Sequence, residues 1–478
     1  MSQVLVVGNG FAAHRLVDRL HRYGHQDSVT VLGAEQRPAY NRMLLPSVLT
    51  GALDSEALTL PAHPAGTRVR VGVRARCIDR DRRLVYATSS GRCGTVDEIY
   101  RYDELVLATG ARPRVPTLPG VLTDEGELAA GVATLRTLAD CERISPGQVV
   151  VLGAGVLGVE TALELAGSGC AAVTLVHPGS YPMNERLDRA AGRLLADHLA
   201  ATGVALHLGR EAVEYRRGQL LLDNGRLLTS DTVLLCTGVT PEVTLARDAG
   251  LPVGSGVVVD DRLRTDDPHI YAIGDCAEYN GVVGGHVAPA WQQAETLARL
   301  LTGGDARYRG TAHIMRLRAS VLDAACFGPL HEVTEPDSDV EMVALWDRER
   351  VRYAKLALRD QRLAGAVLFG FHQAIASISQ LYDRNLPMPS GRLELLLGEA
   401  AGSPAAIELP DEAVICRCNN VTKKTLIRVW HAGARDVPAL AEETRATRGC
   451  GSCTREVRRI RDALEYSESH QIGLDNRV

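Results

Sequence analysis

Lysine is nearly absent from this 478-residue chain: Lys355, Lys423 and Lys424 are the only ones, and arginine supplies the rest of the 53 basic residues. With alanine abundant, this reads as genome composition bias rather than function. Aromatics make up only 4%, so each one near a candidate site is worth a reading, although most fill core. No run of about 18 uncharged apolar residues occurs, which excludes an ordinary membrane-spanning helix. The N-terminus lacks a basic segment followed by an apolar one and enters the strand-like Val4-Leu5-Val6-Val7 at once. The expectation is therefore a chain without a signal peptide, in the cytoplasm and away from membranes. A net charge of −5 gives no general basic footprint for nucleic acid. Eleven cysteines, an odd number without a secretory signal, read as cytosolic thiols rather than a disulfide framework.

What is present is ordinary globular composition, 45% hydrophobic and 23% charged, in a length that suggests about three domains. Val4 to Leu20 reads strand, glycine turn, helix, with a further strand at Ser28 to Leu32. The pattern returns at Val149 to Leu165, followed by a strand at Ala172 to Val176. Repeated βαβ units of this kind imply parallel sheets. Tyr102 to Gly110 and Asp231 to Gly238 are matching strands that each end in Thr-Gly. Leu356 to Phe369 is strand-rich with a turn near Asp360. Residues 391–410 read as an interdomain linker, and residues 466–478 as a polar flexible tail.

Gly8-Asn9-Gly10-Phe11-Ala12-Ala13 forms G-x-G-x-x-A between a buried strand and an amphipathic helix. Gly8 permits the tight turn, Gly10 leaves room for a pyrophosphate, and Ala13 lets helix pack closely on strand. The helix N-terminus then faces the phosphates. Glu35, 25 residues after Gly10, is the acid expected to accept hydrogen bonds from ribose hydroxyls.

With Thr265-Asp266-Asp267-Pro268-His269-Ile270-Tyr271-Ala272-Ile273-Gly274-Asp275 added, the sequence resembles the class I pyridine nucleotide–disulfide reductase superfamily. The resemblance implies that Asp275 bonds the ribityl chain of FAD. Thr109-Gly110 and Thr237-Gly238 also match. Tyr40-Asn41-Arg42 resembles the family's flavin-contacting Tyr-Asp-Arg stretch, with Asn41 in place of the aspartate. Ala288-Pro289-Ala290-Trp291 resembles the segment beside the isoalloxazine ring, while Trp291 reads equally as a core aromatic.

Gly153-Ala154-Gly155-Val156-Leu157-Gly158 is a complete G-x-G-x-x-G. Two such turns argue for two bound dinucleotides, and the resemblance implies NAD(P)H at the second, with Glu160 positioning the nicotinamide. Glu160 also reads simply as an early-helix acid favoured by the dipole. His177, 19 residues after Gly158, stands where an acid would favour NADH and cations NADPH. Arg186 is a candidate for reaching a phosphate. Neither glycine-motif helix carries a cysteine pair. A disulfide reductase is thereby excluded, and the scattered cysteines read as small buried hydrophobes.

Cys416 and Cys418, then Cys450 and Cys453, form C-x-C and C-x-x-C pairs separated by 31 residues. Four thiolates in two tight pairs suit zinc or an iron–sulfur cluster. The stretch from Val421 to Leu440 has helical periodicity, and Thr422 is a candidate cap. Spacing and texture resemble the bacterioferritin-associated ferredoxin domain, which implies a helical [2Fe–2S] module with these four ligands. Arg417, Lys423, Lys424, Arg428, Arg435, Arg445, Arg448 and Arg455 surround it, either as a solvated surface or as a positive rim steering an acidic partner.

The combination resembles the N-terminal part of assimilatory NADH nitrite reductase large subunits, and equally the electron-transfer subunits of bacterial assimilatory nitrate reductases. Tyr353-Ala354-Lys355-Leu356 adds to it. No cysteine follows Cys453 in the sequence to ligate a sirohaem and [4Fe–4S] centre, so the expectation is that this chain alone does not reduce nitrite. The expected fold is α/β: two Rossmann-like dinucleotide-binding domains, an α+β reductase C-terminal domain and a small helical [2Fe–2S] module. The expected boundaries are FAD domain 1–115 and 241–305, NAD(P) domain 116–240, interface domain 306–390 and cluster module 411–465. The expected activity is electron transfer from NAD(P)H through FAD and the cluster to a separate protein. A molybdenum nitrate reductase comes first as that partner and a sirohaem nitrite reductase second; a homo-oligomer is compatible with this. The competing readings are a self-contained ferredoxin- or rubredoxin-type reductase and a redox sensor.

Overall fold

A computed structural model describes the chain apart from residues 1–2, 92–93, 146, 170–171, 312–313, 319–322, 398–408, 417–420, 448–452 and 476–478. The chain divides into two compact units. The first comprises Met1–Arg42, Ser55–Arg114 and Gly238–Thr311; the second comprises Met43–Asp54, Val115–Thr237 and Ala312–Val478.

In the first unit the strand Gln3–Val7 lies at the centre of a five-stranded parallel sheet. Ser28–Gly33 and then Thr67–Val71 lie to one side, and Glu104–Leu107 and then Ile270–Ala272 to the other. Val4, Leu5 and Val6 are all buried, because a parallel sheet is covered on both faces and needs continuous apolar strands. The helix Phe11–Arg22 supplies Leu16, Val17 and Leu20 to this core, and Val287–Leu301 supplies Ala290, Ala294, Leu297 and Ala298 at helical spacing.

The second unit repeats the plan. Gln148–Leu152 is flanked in parallel by Ala172–His177 and Thr232–Leu235, with Ala205–Leu208 and Val132–Thr134 outermost. A separate five-stranded antiparallel sheet runs in the order Ile314–Arg318, Asp323–Phe327, Arg362–Phe369, Arg352–Arg359, Glu341–Asp347. Its tight turn at Asp360 and Gln361 has φ of 51° and 61°, the left-handed pair that matches strand twist in a hairpin. The carboxylate of Asp188 ties this sheet to the nucleotide-type fold. It caps the helix Arg189–Ala201 through Ala191 N–H (2.9 Å), accepts from the Tyr353 hydroxyl, and lies 3.9 Å from Lys355 Nζ.

The expected α/β class holds, but two expected segments differ. Residues 392–397 of the expected linker form the helix Arg392–Leu397, because Leu396 is buried in the antiparallel sheet's core. Residues 398–408 of that linker lie outside the described residues. The expected flexible tail is helical as far as Asp475 in the helix Thr454–Asp475. There Glu468 accepts from Trp430 Nε1 (2.9 Å) and pairs with Arg435, tying the helix back to the module.

That module pairs Val414–Cys416 with Val421–Thr422 and adds the helices Lys423–His431 and Val437–Thr444. Thr422 caps the first, its hydroxyl accepting from Thr425 N–H at 3.1 Å. Leu426, Trp430, Leu440, Ala446, Val457 and Ile460 form its core.

Candidate functional site

Gly8 sits at φ +115°, where an added Cβ would lie 2.0 Å from the Ala108 carbonyl oxygen. Only glycine allows the Gln3–Val7 strand to turn this tightly against its neighbour. Gly10 is different: it has ordinary extended dihedrals, and an added Cβ there would meet nothing within 4 Å. It begins the helix Phe11–Arg22 without a side-chain cap and without an acid in the first turn. Unpaired N–H groups and the positive dipole end therefore face open space, which fits a pyrophosphate. Ala13 is fully buried, as its packing role requires.

Sequence reasoning missed Asn9 as a functional side chain. Its Oδ1 accepts from His63 Nε2 at 3.2 Å, while its Nδ2 is buried without a partner. The His63 ring lies tilted against that of His14, 4.9 Å between ring centres. Burial, with His14 second, pushes the His63 pKa down to about 4, so the ring is neutral near pH 7 and donates from Nε2. The orphaned Asn9 donor in the glycine turn fits a ligand that brings acceptors.

Glu35, at the end of the next strand, is already engaged. It accepts from the Tyr40 hydroxyl (2.7 Å) and pairs with Arg42, which also donates to the Tyr40 oxygen (3.1 Å) and covers its ring. A carboxylate offers about four lone-pair sites, so ribose hydroxyls still have acceptors there. Asn41 is buried, and its N–H donates to Leu58 O.

Asp275 is half-buried in the turn Gly274–Cys276, directly after Ile270–Ala272. Gly274 has φ +82°, and its added Cβ would touch Ala12 of the first glycine helix at 3.0 Å. Its N–H donates to Oε1 of Gln293 at 2.7 Å. Buried Gln293, a second residue that no motif singles out, thus fixes the backbone that presents Asp275.

The two Thr-Gly exits lead into a two-stranded ribbon, Ala111–Pro113 against Val239–Pro241. Gly110 accepts there from Glu242 N–H (2.8 Å), and Gly238 from Arg114 N–H (2.9 Å). The Thr109 hydroxyl donates to Glu242 O at 2.6 Å. Trp291 is not a fully buried core aromatic. It packs edge-on against Phe11 at 6.5 Å, and Arg15 lies over its ring at 5.5 Å.

The second turn repeats the division of labour. An added Cβ at Gly153 would lie 2.5 Å from Cys236 O, and one at Gly158 would lie 1.9 Å from Gly153 O, whereas Gly155 has open space. Gly155 begins the helix Val156–Gly167, again without a side-chain cap. Glu160 lies in that helix and is buried. His177 ends the strand Ala172–His177; its Nδ1 accepts from Ala154 N–H at 3.4 Å and its Nε2 faces Asn184 Oδ1 at 2.8 Å. Arg186 is exposed.

In the cluster module Cys416 is 1% and Cys453 4% exposed. Cys453 Sγ accepts from the N–H of Thr447 at 3.2 Å, at a backbone position of φ +70°. Buried thiols with an amide aimed at sulfur fit a thiolate-held cluster. Cys418 and Cys450 lie outside the described residues, as do Arg417, Arg448 and the Arg455 side chain. Of the expected positive rim, Lys423 is engaged by Leu409 O (2.9 Å) and Arg435 by Glu468 and the Trp430 ring.

Among the other thiols, Cys236, Cys276 and Cys326 are buried, and burial pushes Cys236 and Cys326 up to about 12. Cys77 departs from the expectation of burial: it is exposed, on an outward position of Val73–Asp79.

Two dinucleotide seats on two parallel sheets of one chain define a class: oxidoreductases that move a hydride between a nicotinamide and a flavin. Residues 2–296 match the pyridine nucleotide-disulphide oxidoreductase family, and the chain belongs to it. Residues 414–462 match the BFD-like [2Fe-2S] binding domain. The protein is an NAD(P)H-dependent, FAD-containing oxidoreductase with an iron–sulfur domain.

It is 29% identical to the nitrite reductase [NAD(P)H] of Bacillus subtilis (strain 168), over 99% of this chain and 58% of that one. It is 30% identical to the assimilatory nitrate reductase electron transfer subunit of the same organism, over 97% of this chain and 59% of that one. The chain thus spans about three-fifths of the length of these relatives. The covalent putidaredoxin reductase–putidaredoxin complex has the same fold, with a TM-score of 0.71, 23% identity, and coverage of 84% of this chain and 99% of that one. Among the described residues no helix is long and apolar enough to cross a membrane.

Proposed function

We propose that this chain is a cytoplasmic electron-transfer component that feeds a separate catalytic protein, a molybdenum nitrate reductase in the first place. The observation that carries the reading is the pair of buried thiols, Cys416 and Cys453, in a chain that also has two uncapped glycine turns. Similarity to a nitrate reductase electron transfer subunit along 97% of the chain supports it. The similar match to a nitrite reductase supports the second reading, delivery to a sirohaem nitrite reductase.

Bound FAD would supply hydride acceptance from NAD(P)H, and a [2Fe–2S] cluster would supply single-electron transfer onward. The protein's part is binding and orientation. Gly8, Gly10, Ala13, Glu35, Arg42, Thr109, Gly110, Asp275, Trp291 and Gly238 are the proposed flavin side. Gly153, Gly155, Gly158, Glu160 and His177 are the proposed nicotinamide side. Cys416, Cys418, Cys450 and Cys453 are the proposed cluster ligands. No general base is assigned, because hydride and electron transfer need none.

Anaerobic mixing with NADH or NADPH tests the reading: flavin bleaching is expected first, then a paramagnetic cluster signal. Turnover is then compared with purified nitrate reductase, sirohaem nitrite reductase and dioxygen as acceptors. A chain that turns over only with dioxygen or small acceptors is a self-contained reductase. One that is FAD-replete but has negligible NAD(P)H–dye activity is a sensor.

A further inference from the structure

The strand Gly94–Arg101 is the edge of a three-stranded antiparallel sheet in the first unit, paired on one side only, with Leu84–Gly91. The ladder runs from Leu84 opposite Arg101 to Gly91 opposite Gly94 without a register shift. Just beyond it, Tyr102 N–H donates to Arg83 O at 3.1 Å. Backbone bonds in an antiparallel pair fall on alternate residues, so Tyr102 sets the phase. Tyr100, Glu98 and Val96 bond inward, while Arg101, Ile99 and Asp97 turn their N–H and C=O groups to the free edge.

The side chains of those same three residues share one face, because alternate residues of a strand point the same way. All three are exposed, and Ile99, at 62%, is the most exposed large aliphatic side chain among the described residues. Asp97 and Arg101 have no side-chain partner among the described residues. The opposite face is engaged: Glu98 pairs with Arg70 at 2.8 Å, and Tyr100 packs on the core of the unit. Natural edges are protected by proline, by bulges or by being very short. This strand has eight residues, no proline and no bulge. Its outward charges are of opposite sign, two residues to either side of Ile99.

We propose that this edge docks a second copy of the chain, antiparallel about a two-fold axis at Ile99. In that register Ile99 meets Ile99 of the second copy, and each Asp97 lies opposite Arg101 of the other copy. These are also the residues whose backbone groups face outward, so side-chain charge and backbone bonding select the same register. An axis at Asp97, Glu98 or Arg101 would oppose like charges, and one at Tyr100 would set each Ile99 against an arginine. The contact is isologous and closes on itself, so it ends at a dimer. The two three-stranded sheets become one continuous sheet, and the apolar centre of each edge is covered.

Sedimentation velocity of the FAD-loaded full chain over about 1–100 µM tests this. The wild type is expected to pass from monomer to dimer in that range, because one strand edge buries less than the roughly 1,200 Å² of a standard interface. D97R opposes like charges at both ends of the pairing and is expected to weaken the dimer at least about tenfold, as is R101D. I99D sets two carboxylates together at the axis and is expected to abolish the dimer. D97R/R101D exchanges the charges, keeps each cross-pair opposite in sign, and is expected to restore the wild-type affinity to within about threefold. These positions are exposed, so flavin content and melting temperature serve as controls of folding. A wild type that stays monomeric at about 100 µM, a dimer that D97R and I99D leave intact, or a double variant as weak as the single ones overturns the proposal.

Discussion

Gly8 and Gly10 lie two residues apart in one turn, yet alanine at each is expected to fail for opposite reasons. At Gly8 a methyl group meets the Ala108 carbonyl oxygen at 2.0 Å, at a φ of +115°. The dihedral alone costs about 1–2 kcal/mol, and overpacking against backbone adds about 1–3 kcal/mol. G8A should therefore lose about 2–5 kcal/mol of folding stability with or without flavin. At Gly10 the backbone is extended, with φ −101° and ψ −165°, and the space beyond is open. G10A apoprotein should be as stable as wild type, or more stable by about 0.4–1 kcal/mol through the stiffer unfolded chain. The methyl group would instead occupy the proposed pyrophosphate seat. A cost of about 1–3 kcal/mol there weakens FAD binding roughly 5- to 150-fold. Denaturant melts of the two deflavinated proteins, with FAD titration followed by flavin fluorescence quenching, separate the cases. Wild-type FAD affinity in G10A, or wild-type apoprotein stability in G8A, would refute the reasoning.

C453S should abolish the cluster's visible and paramagnetic signals while NAD(P)H still bleaches the flavin; a full cluster signal would remove Cys453 from the ligand set. Q293L should leave the buried Gly274 N–H unpaired at a cost of about 1–3 kcal/mol, seen as weaker FAD retention on gel filtration. His63 has its pKa depressed to about 4 from 6.5, so the unfolded chain binds the extra proton between those values. Its contribution to stability is full above about pH 6.5 and is lost as pH falls toward 4. Melting temperatures measured across that window should fall more steeply for wild type than for H63Q; parallel curves would contradict this.

The glycines were legible because each close approach admits one residue type: Gly8, Gly153 and Gly158 meet backbone carbonyls that no side chain can displace. Thr422 was legible because capping is a local bond three residues long. The partners of the turns were not. His63 reaches Asn9 from a loop without periodicity, and Gln293 looks like any polar residue on a helix until its fold partner, Gly274, is known. The helix Arg392–Leu397 was hidden among glycine and proline. Glu468 reads as a solvated tail charge until Trp430 and Arg435 are brought to it. Non-local pairing, such as the strand order of the antiparallel sheet, leaves no trace in a single sequence.

Asp188 joins a helix N-terminus, a phenol and an ammonium group through one buried carboxylate. Those partners belong to layers more than 160 residues apart in sequence. Neither layer can loosen without stranding a negative charge in a dry interior. The coenzyme-type sheet and the antiparallel sheet are thereby welded into one cooperative block, whose slowest-exchanging amides should surrender their protons together.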